Sequence, residues 1–182
     1  MIETERLTLR AWRDEDRAPF AEMGRSPAVM AQLGPLMTRE QSDAGIQRMR
    51  VYQRQHGYCF WAVERRDDAQ FLGFCGLKPG VIGPLIGEIE IGWRLREDAW
   101  GRGYAKEAAL ASLAWGWTVL RAPRIMAITT PANRASWGLM ERLGMVRRTD
   151  LDIDHPLLAP DDPLCAHITY VAERPQRASP PA

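Results

Sequence analysis

Apolar and polar residues alternate over positions 6–12, which is the pattern of a half-buried β-strand. Further short apolar stretches bounded by turn-forming residues predict six more strands, over positions 59–65, 71–77, 88–95, 124–130, 145–150 and 167–172. A short polar turn separates the second strand from the third, so these two are predicted to form a hairpin.

Helical spacing of apolar residues is found in four segments, over positions 14–24, 39–56, 104–120 and 134–143. Thr38 or Ser42 is predicted to cap the second helix, and Gly144 is predicted to end the fourth. The third helix carries apolar residues on nearly every face. It must therefore be buried on most sides, as against a sheet.

The chain shows no internal repeat and no linker long enough to divide it. Its 182 residues suit a single compact domain, and one α+β domain is predicted over positions 1–174. Positions 175–182 include three prolines and are predicted to form a disordered tail.

The composition argues against nucleic-acid-binding, membrane and secreted proteins. Hydrophobic residues make up 46% of the chain and charged residues 26%, a balance typical of globular proteins. The formal net charge of +1 supplies no bulk attraction to nucleic acid or anionic lipid, so neither partner is expected. No apolar run reaches the roughly 20 residues that span a bilayer, and no secretory signal is visible. A cytoplasmic protein is therefore predicted.

The three cysteines, Cys59, Cys75 and Cys165, are widely spaced and form no CxxC pair. This argues against a disulfide framework and against a zinc site, and no metal site is predicted. Each cysteine lies in an apolar, strand-like stretch, so we interpret them as small buried hydrophobic residues rather than nucleophiles.

A glycine-rich turn, Trp100-Gly101-Arg102-Gly103-Tyr104-Ala105, joins the predicted strand over 88–95 to the buried helix. Glycines let a backbone approach a ligand closely, and successive N–H groups at a helix N-terminus bind anions. Arg102 and Arg96 could add charge-assisted contacts to phosphate oxygens. The turn fits a phosphate site, although a tight strand-to-helix connection would explain it equally well.

Two common phosphate motifs do not fit this turn. A dinucleotide fingerprint needs a third small residue where Lys106 stands and an acid about 20 residues further on, yet positions 120–131 contain no Asp or Glu. A P-loop needs a GKS or GKT sequence, which the chain lacks. Phosphate binding by the turn must therefore follow another pattern.

Three ordered segments resemble the GNAT acetyltransferases, in particular their ribosomal-protein N-terminal acetyltransferase branch (the RimJ/RimL-like group). They are Glu5–Arg10, then Glu90–Leu95 with Trp100–Ala108, and finally Asn133–Ser136 with Leu139–Met145. The resemblance spans about positions 3–170. It implies a single GNAT-like domain with a central, mixed, mostly antiparallel twisted sheet of six to seven strands, flanked by about four helices.

The resemblance also implies acetyl-CoA as co-substrate and assigns its contacts. Backbone groups of Trp93 and Leu95 would pair with the pantetheine arm like an added strand. Asn133 would contact the cofactor near its pantetheine or pyrophosphate portion, and Ser136 would point toward its sulfur. The pyrophosphate would sit on the backbone N–H groups of Gly101, Arg102, Gly103, Tyr104, Ala105 and Lys106.

Two positions depart from the family pattern. The turn usually opens with Gln or Arg three residues before its first glycine, where this chain has Asp98, so side-chain help for phosphate must come from elsewhere. Many members carry a tyrosine general acid on the later helix, where this chain has Met140, as is usual in the RimJ/RimL-like branch. The role of acid would then fall to Ser136 or to water.

Glu88 and Glu90 share one face of the predicted strand beside the expected cleft, because strand side chains alternate. An amine attacks a thioester only when it is neutral, so a base or a water relay must take its proton. We favour Glu90 as this base, acting through a water, and a solvated strand carboxylate is the alternative. A backbone N–H near Ile91 or Trp93 would stabilise the tetrahedral oxyanion.

Asn133 and Ser136 also fit simple capping of the fourth helix, which stabilises by about 1 kcal/mol. Capping and cofactor contact are compatible for Asn133, and for Ser136 we favour the site role because of the family match. The acidic segment over 150–162 would attract a cationic amine if it lined the acceptor entrance. A solvated loop is the interpretation we favour for it.

The leading functional hypothesis is an N-acetyltransferase that uses acetyl-CoA and acts on a protein N-terminus or a small-molecule amine, by direct attack in a ternary complex. The alternative is a non-catalytic acyl-CoA-binding module that senses the cofactor or scaffolds a partner. Family analogy further suggests a homodimer.

Overall fold

The computed structural model describes residues 1–175, so all but the first residue of the predicted tail lies outside the described residues. Within them, nine strands and five α-helices form one α+β domain. The strands are β1 (Ile2–Glu3), β2 (Leu7–Arg10), β3 (Phe60–Arg65), β4 (Phe71–Pro79), β5 (Ile89–Leu95), β6 (Arg124–Thr129), β7 (Val146–Arg147), β8 (Ile153–Asp154) and β9 (Ala166–Glu173). The helices are α1 (Arg17–Gly24), α2 (Pro27–Met30), α3 (Arg39–His56), α4 (Tyr104–Trp115) and α5 (Arg134–Arg142).

The α+β class and the mixed sheet are confirmed, whereas the predicted numbers of strands and helices were slightly too low. The additional elements β1, β8 and α2 contain two, two and four residues. Segments this short carry no periodicity, which is why the pattern of apolar residues missed them. The predicted third helix ends earlier as α4 and continues as a π-type turn over Gly116–Leu120.

The order of strands in the sheet is β1-β2-β3-β4-β5-β6-β9-β7, with β8 paired beside β9. Neighbouring strands are antiparallel except for β5 and β6, which run parallel. Every residue of β5 is paired with β4, but β5 and β6 share only the pair Glu90–Met126. The sheet therefore opens between β5 and β6 beyond Glu90, and we call this opening the cleft.

The odd-numbered residues of β5 face α4, and Ile91 and Leu95 are buried there with Ala108 and Ala109. Small alanine side chains let the helix pack closely on the sheet, as the apolar pattern predicted. The opposite face of the sheet carries Glu90, because side chains alternate along a strand. This second face is covered in part by α1, which packs on β4.

The three cysteines are buried, as their apolar surroundings in the sequence predicted. Cys59, Cys75 and Cys165 are buried and form no disulfide with one another. Burial raises the pKa of the Cys59 and Cys75 thiols to about 12, so both are inert at neutral pH. Among the residues described, no helix is long and apolar enough to cross a membrane.

A buried ion pair joins β2 to the start of α1. The Arg10 guanidinium donates two hydrogen bonds of 2.8 Å to Asp16 and one of 2.7 Å to Glu64. Asp16 also accepts the backbone N–H of Arg13 at 2.7 Å, and only 2% of its surface is exposed. These bonds hold a turn ahead of the helix, so α1 begins at Arg17 rather than three residues earlier as predicted.

Asp16→Asn is expected to lower the free energy of unfolding by about 3 kcal/mol, because the Arg10 charge stays buried with only Glu64 to pair it. Asp14→Asn is the matched control. Asp14 pairs with Arg17 and Arg50, but its side chain is 75% exposed, so this change should cost about 0–1 kcal/mol. Urea denaturation measures both values, and equal losses would contradict the importance of the buried pair.

Candidate active site

The backbone of β5 presents alternate residues to its two neighbouring strands. At the ends of the β4–β5 ladder, Arg96 N–H donates to Leu72 O at 2.8 Å and Gly80 N–H donates to Glu88 O at 2.9 Å. Hydrogen-bonded residues alternate in an antiparallel pair, so the even-numbered residues of this segment bond to β4. The backbone groups of the odd-numbered residues point toward β6 and, beyond Glu90, into the cleft.

Trp93 and Leu95, which were predicted to pair with the pantetheine arm, are the odd-numbered residues that border the cleft. Neither has a partner in β6. The Leu95 carbonyl accepts the indole N–H of Trp100 at 2.9 Å. The other backbone groups of Trp93 and Leu95 on this edge have no partner among residues 1–175, so they can pair with an extended ligand as with an added strand.

The glycine turn leads directly into α4. Gly101 and Gly103 have φ angles of 71° and 80°, in the left-handed region that favours glycine. Gly103 is the N-cap residue, and no side chain caps the helix. The first intrahelical bond runs from Glu107 N–H to Gly103 O at 3.0 Å. The N–H groups of the three residues between them therefore have no acceptor within residues 1–175.

Like α1, the helix α4 has no side-chain cap, whereas α3 and α5 are capped. A capping box between Thr38 and Gln41 opens α3, in agreement with the prediction for Thr38, and the Asn133 side chain caps α5. Free N–H groups at the start of a helix carry a positive partial charge and bind anions. The uncapped start of α4, beside the open edge of β5, is therefore suited to a phosphate group.

The turn is held by a contact that the sequence did not predict. Arg6 donates to the Arg102 carbonyl at 3.0 Å, and its guanidinium carbon lies 4.7 Å from the Tyr104 ring centroid. Glu107 pairs with Arg6 at 2.6 Å and accepts the Thr4 hydroxyl at 2.6 Å. These contacts tie the N-terminal strands to the start of α4. The only signal for this contact in the sequence is that Arg6 and Glu107 both belong to segments that resemble the family.

The cations around the turn differ in their availability. Arg96, one of the two arginines predicted to contact phosphate, is paired with Asp98 through two hydrogen bonds of 3.1 Å. Arg102 and Lys106 are exposed and pair with no carboxylate within the part of the chain that is described. Arg102 and Lys106 are thus better placed than Arg96 to add charge to a phosphate site.

Glu90 is ion-paired with Lys78, which stands directly opposite on β4. Both side chains are largely buried, with 15% and 12% of their surface exposed. Burial raises the pKa of Glu90, while Lys78 and His167 act in the opposite direction. The sequence did not predict Lys78 as a site residue, because the pairing depends on the register between two strands.

Glu88, the other carboxylate considered as base, has a different environment. Arg124 donates a hydrogen bond of 2.5 Å to Glu88, and this bond lowers the pKa of the carboxyl group. A lowered pKa makes a carboxylate a weaker proton acceptor. Of the two, Glu90 is the better suited to act as a base.

Asn133 and Ser136 lie together at the start of α5. Asn133 Oδ1 accepts the Ser136 backbone N–H at 3.3 Å, so the predicted capping interaction is present. The Ser136 hydroxyl is half-buried and makes no hydrogen bond with residues 1–175. Because β5 and β6 run parallel, the helices that follow them begin at the same end of the sheet. Met140 is buried in the core.

A cavity of about 220 Å³ lies on the Glu90 face of the sheet, at the end where β5 and β6 separate. Ile128 and Thr130 line the cavity. Ile128 and Thr130 follow Met126 at every second position, so their side chains lie on the same face as that of Met126. Met126 pairs with Glu90, so this is also the face of Glu90.

The wall of this cavity combines polar and apolar groups. Thr130 donates its hydroxyl to Gln32 Oε1 at 3.1 Å, which links the end of β6 to the segment after α2. His155 and His167 lie side by side, with ring centroids 5.4 Å apart. The other lining residues are Leu33, Thr129, Leu158 and Leu164.

The acidic segment before β9 is partly neutralised. Asp150 pairs with Arg148 at 2.7 Å. Asp152 pairs with Arg147 and accepts the Thr169 N–H at 3.0 Å. Two of its acids therefore stabilise the loop, which agrees better with the favoured loop interpretation than with an acidic entrance.

Comparison with known proteins gives consistent results. Residues 6–146 match the family model described as "Acetyltransferase (GNAT) domain". The chain is 32% identical over 143 residues to the uncharacterised Bacillus subtilis protein YkkB, covering 78% of this chain and 83% of YkkB. It is 28% identical to the uncharacterised N-acetyltransferase YoaA of the same organism, covering 79% and 81%. An acetyltransferase structure from Agrobacterium tumefaciens superposes with a TM-score of 0.76 at 27% identity, covering 94% and 93%.

The matched residues run from the Arg6 contact with the glycine turn to the start of β7, so they include both sides of the cleft. The family expected from the three sequence segments is confirmed, and the protein is an acetyltransferase. The chain belongs to the GNAT acetyltransferase family.

Proposed function

We propose that this chain transfers the acetyl group of acetyl-CoA to a primary amine, by direct attack in a ternary complex. The observation that carries the proposal is the meeting of three features around one cleft. They are the open edge of β5, the uncapped start of α4 and the largely buried Glu90 carboxylate. The edge of β5 suits the pantetheine arm, the start of α4 suits the pyrophosphate, and the Glu90 carboxylate suits the proton of the amine.

The cofactor would lie along the cleft. The backbone of Trp93 and the Leu95 N–H would bind the pantetheine arm, and the N–H groups of Gly101–Lys106 would bind the pyrophosphate. Arg102 would add a charge-assisted contact, and Asn133 would contact the cofactor from the start of α5. Acetyl-CoA is the donor that the GNAT family uses.

The acceptor amine must lose a proton before it can attack. Glu90 would accept this proton through one water, and its raised pKa makes it a better acceptor than an ordinary carboxylate. The amine nitrogen then bonds to the thioester carbonyl carbon, and the Trp93 N–H would stabilise the oxyanion. As the C–S bond breaks, Ser136 or a water would donate a proton to the leaving thiolate.

The acceptor would enter through the cavity on the Glu90 face, between Thr130 and the histidine pair. A cofactor bound along β5 would present its thioester at the floor of this opening. The acceptor would be either a protein N-terminus or a small-molecule amine.

Ser136→Ala is expected to lower kcat by about 10–100-fold, less than the full contribution of a general acid because water can replace the hydroxyl. Stability should not change, because the Ser136 N–H that Asn133 caps remains. The matched variant Asn133→Ala should lower the free energy of unfolding by about 1 kcal/mol and raise KM for acetyl-CoA. Steady-state kinetics and urea denaturation are to be measured for both variants. An unchanged kcat in Ser136→Ala would indicate that water, and not Ser136, is the acid.

A thiol-release assay with a panel of polyamines, amino acids, peptides and amine drugs tests the proposed function. Thiol release that depends on the amine, with gain of one acetyl group by that amine, is the expected result. Binding of acetyl-CoA without turnover on any amine, and no effect of Glu90→Gln, would instead favour a non-catalytic acyl-CoA-binding module.

A further inference from the structure

Arg94 differs from every other cation that the structure describes. Among Lys and Arg side chains in residues 1–175, those that are not exposed each pair with a carboxylate, with the exception of Arg94. Burying a charge without a partner costs several kcal/mol, on the order of the total stability of a small domain. A residue that retains such a charge is a candidate for binding an anion that comes from outside the chain.

Within residues 1–175 the Arg94 side chain makes no hydrogen bond to an oxygen atom. Its guanidinium carbon lies 5.5 Å from the Phe74 ring centroid, and Nη1 lies 3.6 Å from Met30 Sδ and 3.5 Å from Met37 Sδ. Thioether sulfur is a weak acceptor. Nε is buried and has no hydrogen-bond partner in the described residues. Burial lowers the pKa of Arg94 to about 10, which still leaves it charged at neutral pH.

Arg94 lies on the face of β5 that carries Glu90, on the part of the strand that borders the cleft. Arg94 and Glu90 share one face of β5, because they are four residues apart on a strand. Between them Gly92 has no side chain, and Phe60 Cζ lies 2.7 Å from the position that a Cβ would take there. Phe60 stacks on Phe74 with centroids 5.4 Å apart, so the two rings form an apolar floor between the carboxylate and the guanidinium.

Two features of the chain place Arg94 on the same side of the molecule as the cavity. Met30, which contacts Arg94, ends α2, and Gln32 follows two residues later in the cavity wall. Arg94 also lies beyond the pair Glu90–Met126, where β5 has already separated from β6. Arg94 therefore lies on the face of the sheet that carries the cavity, on the part of β5 that is not paired with β6.

We propose that Arg94 binds a carboxylate of the acceptor, so that the substrate is an amine that also carries a carboxylate group. This inference rests on the proposed N-acetyltransferase function. A guanidinium matches a carboxylate with two parallel hydrogen bonds, and the pair would neutralise the isolated charge. A phosphate dianion fits less well, because the thioethers and aromatic rings around Arg94 supply no second cation or donor.

The geometry also restricts the length of the acceptor. Four residues of strand separate the Cα atoms of Glu90 and Arg94 by about 13 Å, at roughly 3.3 Å per residue. The amine and the carboxylate should thus be several bonds apart, as in an ω-amino acid or a short peptide, rather than on one carbon.

Acetylation of ω-amino acids of increasing chain length, each compared with its amide, tests the inference. The wild-type protein should prefer the acid to the amide by about tenfold or more in kcat/KM, as expected for a hydrogen bond to a charged group. Arg94→Met should abolish this preference by lowering kcat/KM for the acid, with the amide changed less than about twofold. Arg94→Lys should retain part of the preference, and Arg48→Met, on the exposed surface of α3, should retain all of it.

Several outcomes would overturn the assignment. The first is an equal kcat/KM for acid and amide in the wild type, and the second is an equal loss of kcat/KM on both substrates in Arg94→Met. The third is a raised KM for acetyl-CoA in Arg94→Met, which would place Arg94 at the cofactor. A preference for the matching aminophosphonates would overturn the choice of a carboxylate. Arg94→Met should be at least as stable to heat as the wild type, because it removes an unpaired charge. A loss of stability with the acid preference intact would indicate a structural role.

Binding measurements separate this inference from the proposed function. Calorimetric titration of the CoA-loaded protein with the same acids and amides should show tighter binding of the acids in the wild type only. Selective binding without acetyl transfer would reject the proposed function and retain the carboxylate site. Acetyl transfer without selectivity between acids and amides would support the proposed function and reject the carboxylate site.

Discussion

Glu90→Gln is expected to lower kcat by about 10²–10⁴-fold, the usual contribution of a general base, with KM for acetyl-CoA little changed. Glutamine keeps the shape of the side chain but cannot accept a proton. Glu88→Gln is the matched control on the same face, because Glu88 is held by Arg124 and should lose less than about tenfold. Steady-state kinetics of both variants decide between the two carboxylates, and equal losses would contradict the choice of Glu90.

The pH dependence supplies a second test of Glu90. A base must be deprotonated to act, so kcat/KM should rise with pH through the pKa of Glu90. Burial raises that pKa, which shifts the rise above the range of an ordinary glutamate. In Glu90→Gln this acidic limb should disappear. A wild-type profile that is flat across this range would indicate that water alone carries the proton.

Glu90→Gln leaves Lys78 largely buried without its partner, which destabilises the fold. Part of the fall in activity of this variant would then come from unfolding. The double variant Glu90→Gln with Lys78→Met removes the unpaired charge and should recover stability without recovering kcat. Recovery of kcat in the double variant would show that the carboxylate served only to balance Lys78.

Gly103→Val is expected to weaken acetyl-CoA binding by about 10–1,000-fold, the equivalent of one or two lost charge-assisted hydrogen bonds. With φ at 80°, Gly103 has a conformation that a β-branched residue rarely adopts. The turn must therefore change its backbone angles, which redirects the N–H groups that start α4. Isothermal titration calorimetry measures the loss.

Gly57→Val is the matched control for backbone strain. Gly57 has φ of 83° at the end of α3, and a Cβ there meets no atom within 4 Å. The two variants should lose similar stability, about 1–2 kcal/mol, yet only Gly103→Val should lose affinity. Unchanged affinity in a folded Gly103→Val protein would reject the turn as the phosphate site.

Elements with a strong local pattern could be predicted from the sequence. The bounds of α3, Arg39–His56, agree with the prediction, because its capping box and its C-terminal Gly57 are encoded within a few residues of each end. The glycine turn and the capped start of α5 were recognisable for the same reason. Each depends on hydrogen bonds between residues that are close in the chain.

The contacts that organise the candidate site could not be predicted in this way. Lys78 and Glu90 are 12 residues apart, and Arg6 and Glu107 are 101 residues apart. No periodicity links such pairs. Their charges meet only because strand register and helix packing bring them together, and both depend on the burial of apolar faces contributed by the whole chain.

The sequence by itself determined the α+β class, the family and the position of the glycine turn, because periodicity, capping and turn chemistry act over a few residues. The tertiary structure alone decided that β5 and β6 separate beyond Glu90, that Lys78 pairs with this carboxylate, and that Arg94 has no carboxylate partner among residues 1–175. Desolvation and charge pairing depend on which distant segments surround a group. In the sequence Arg94 is one more polar residue on a strand, and in the folded protein it is a largely buried charge without a carboxylate partner among residues 1–175.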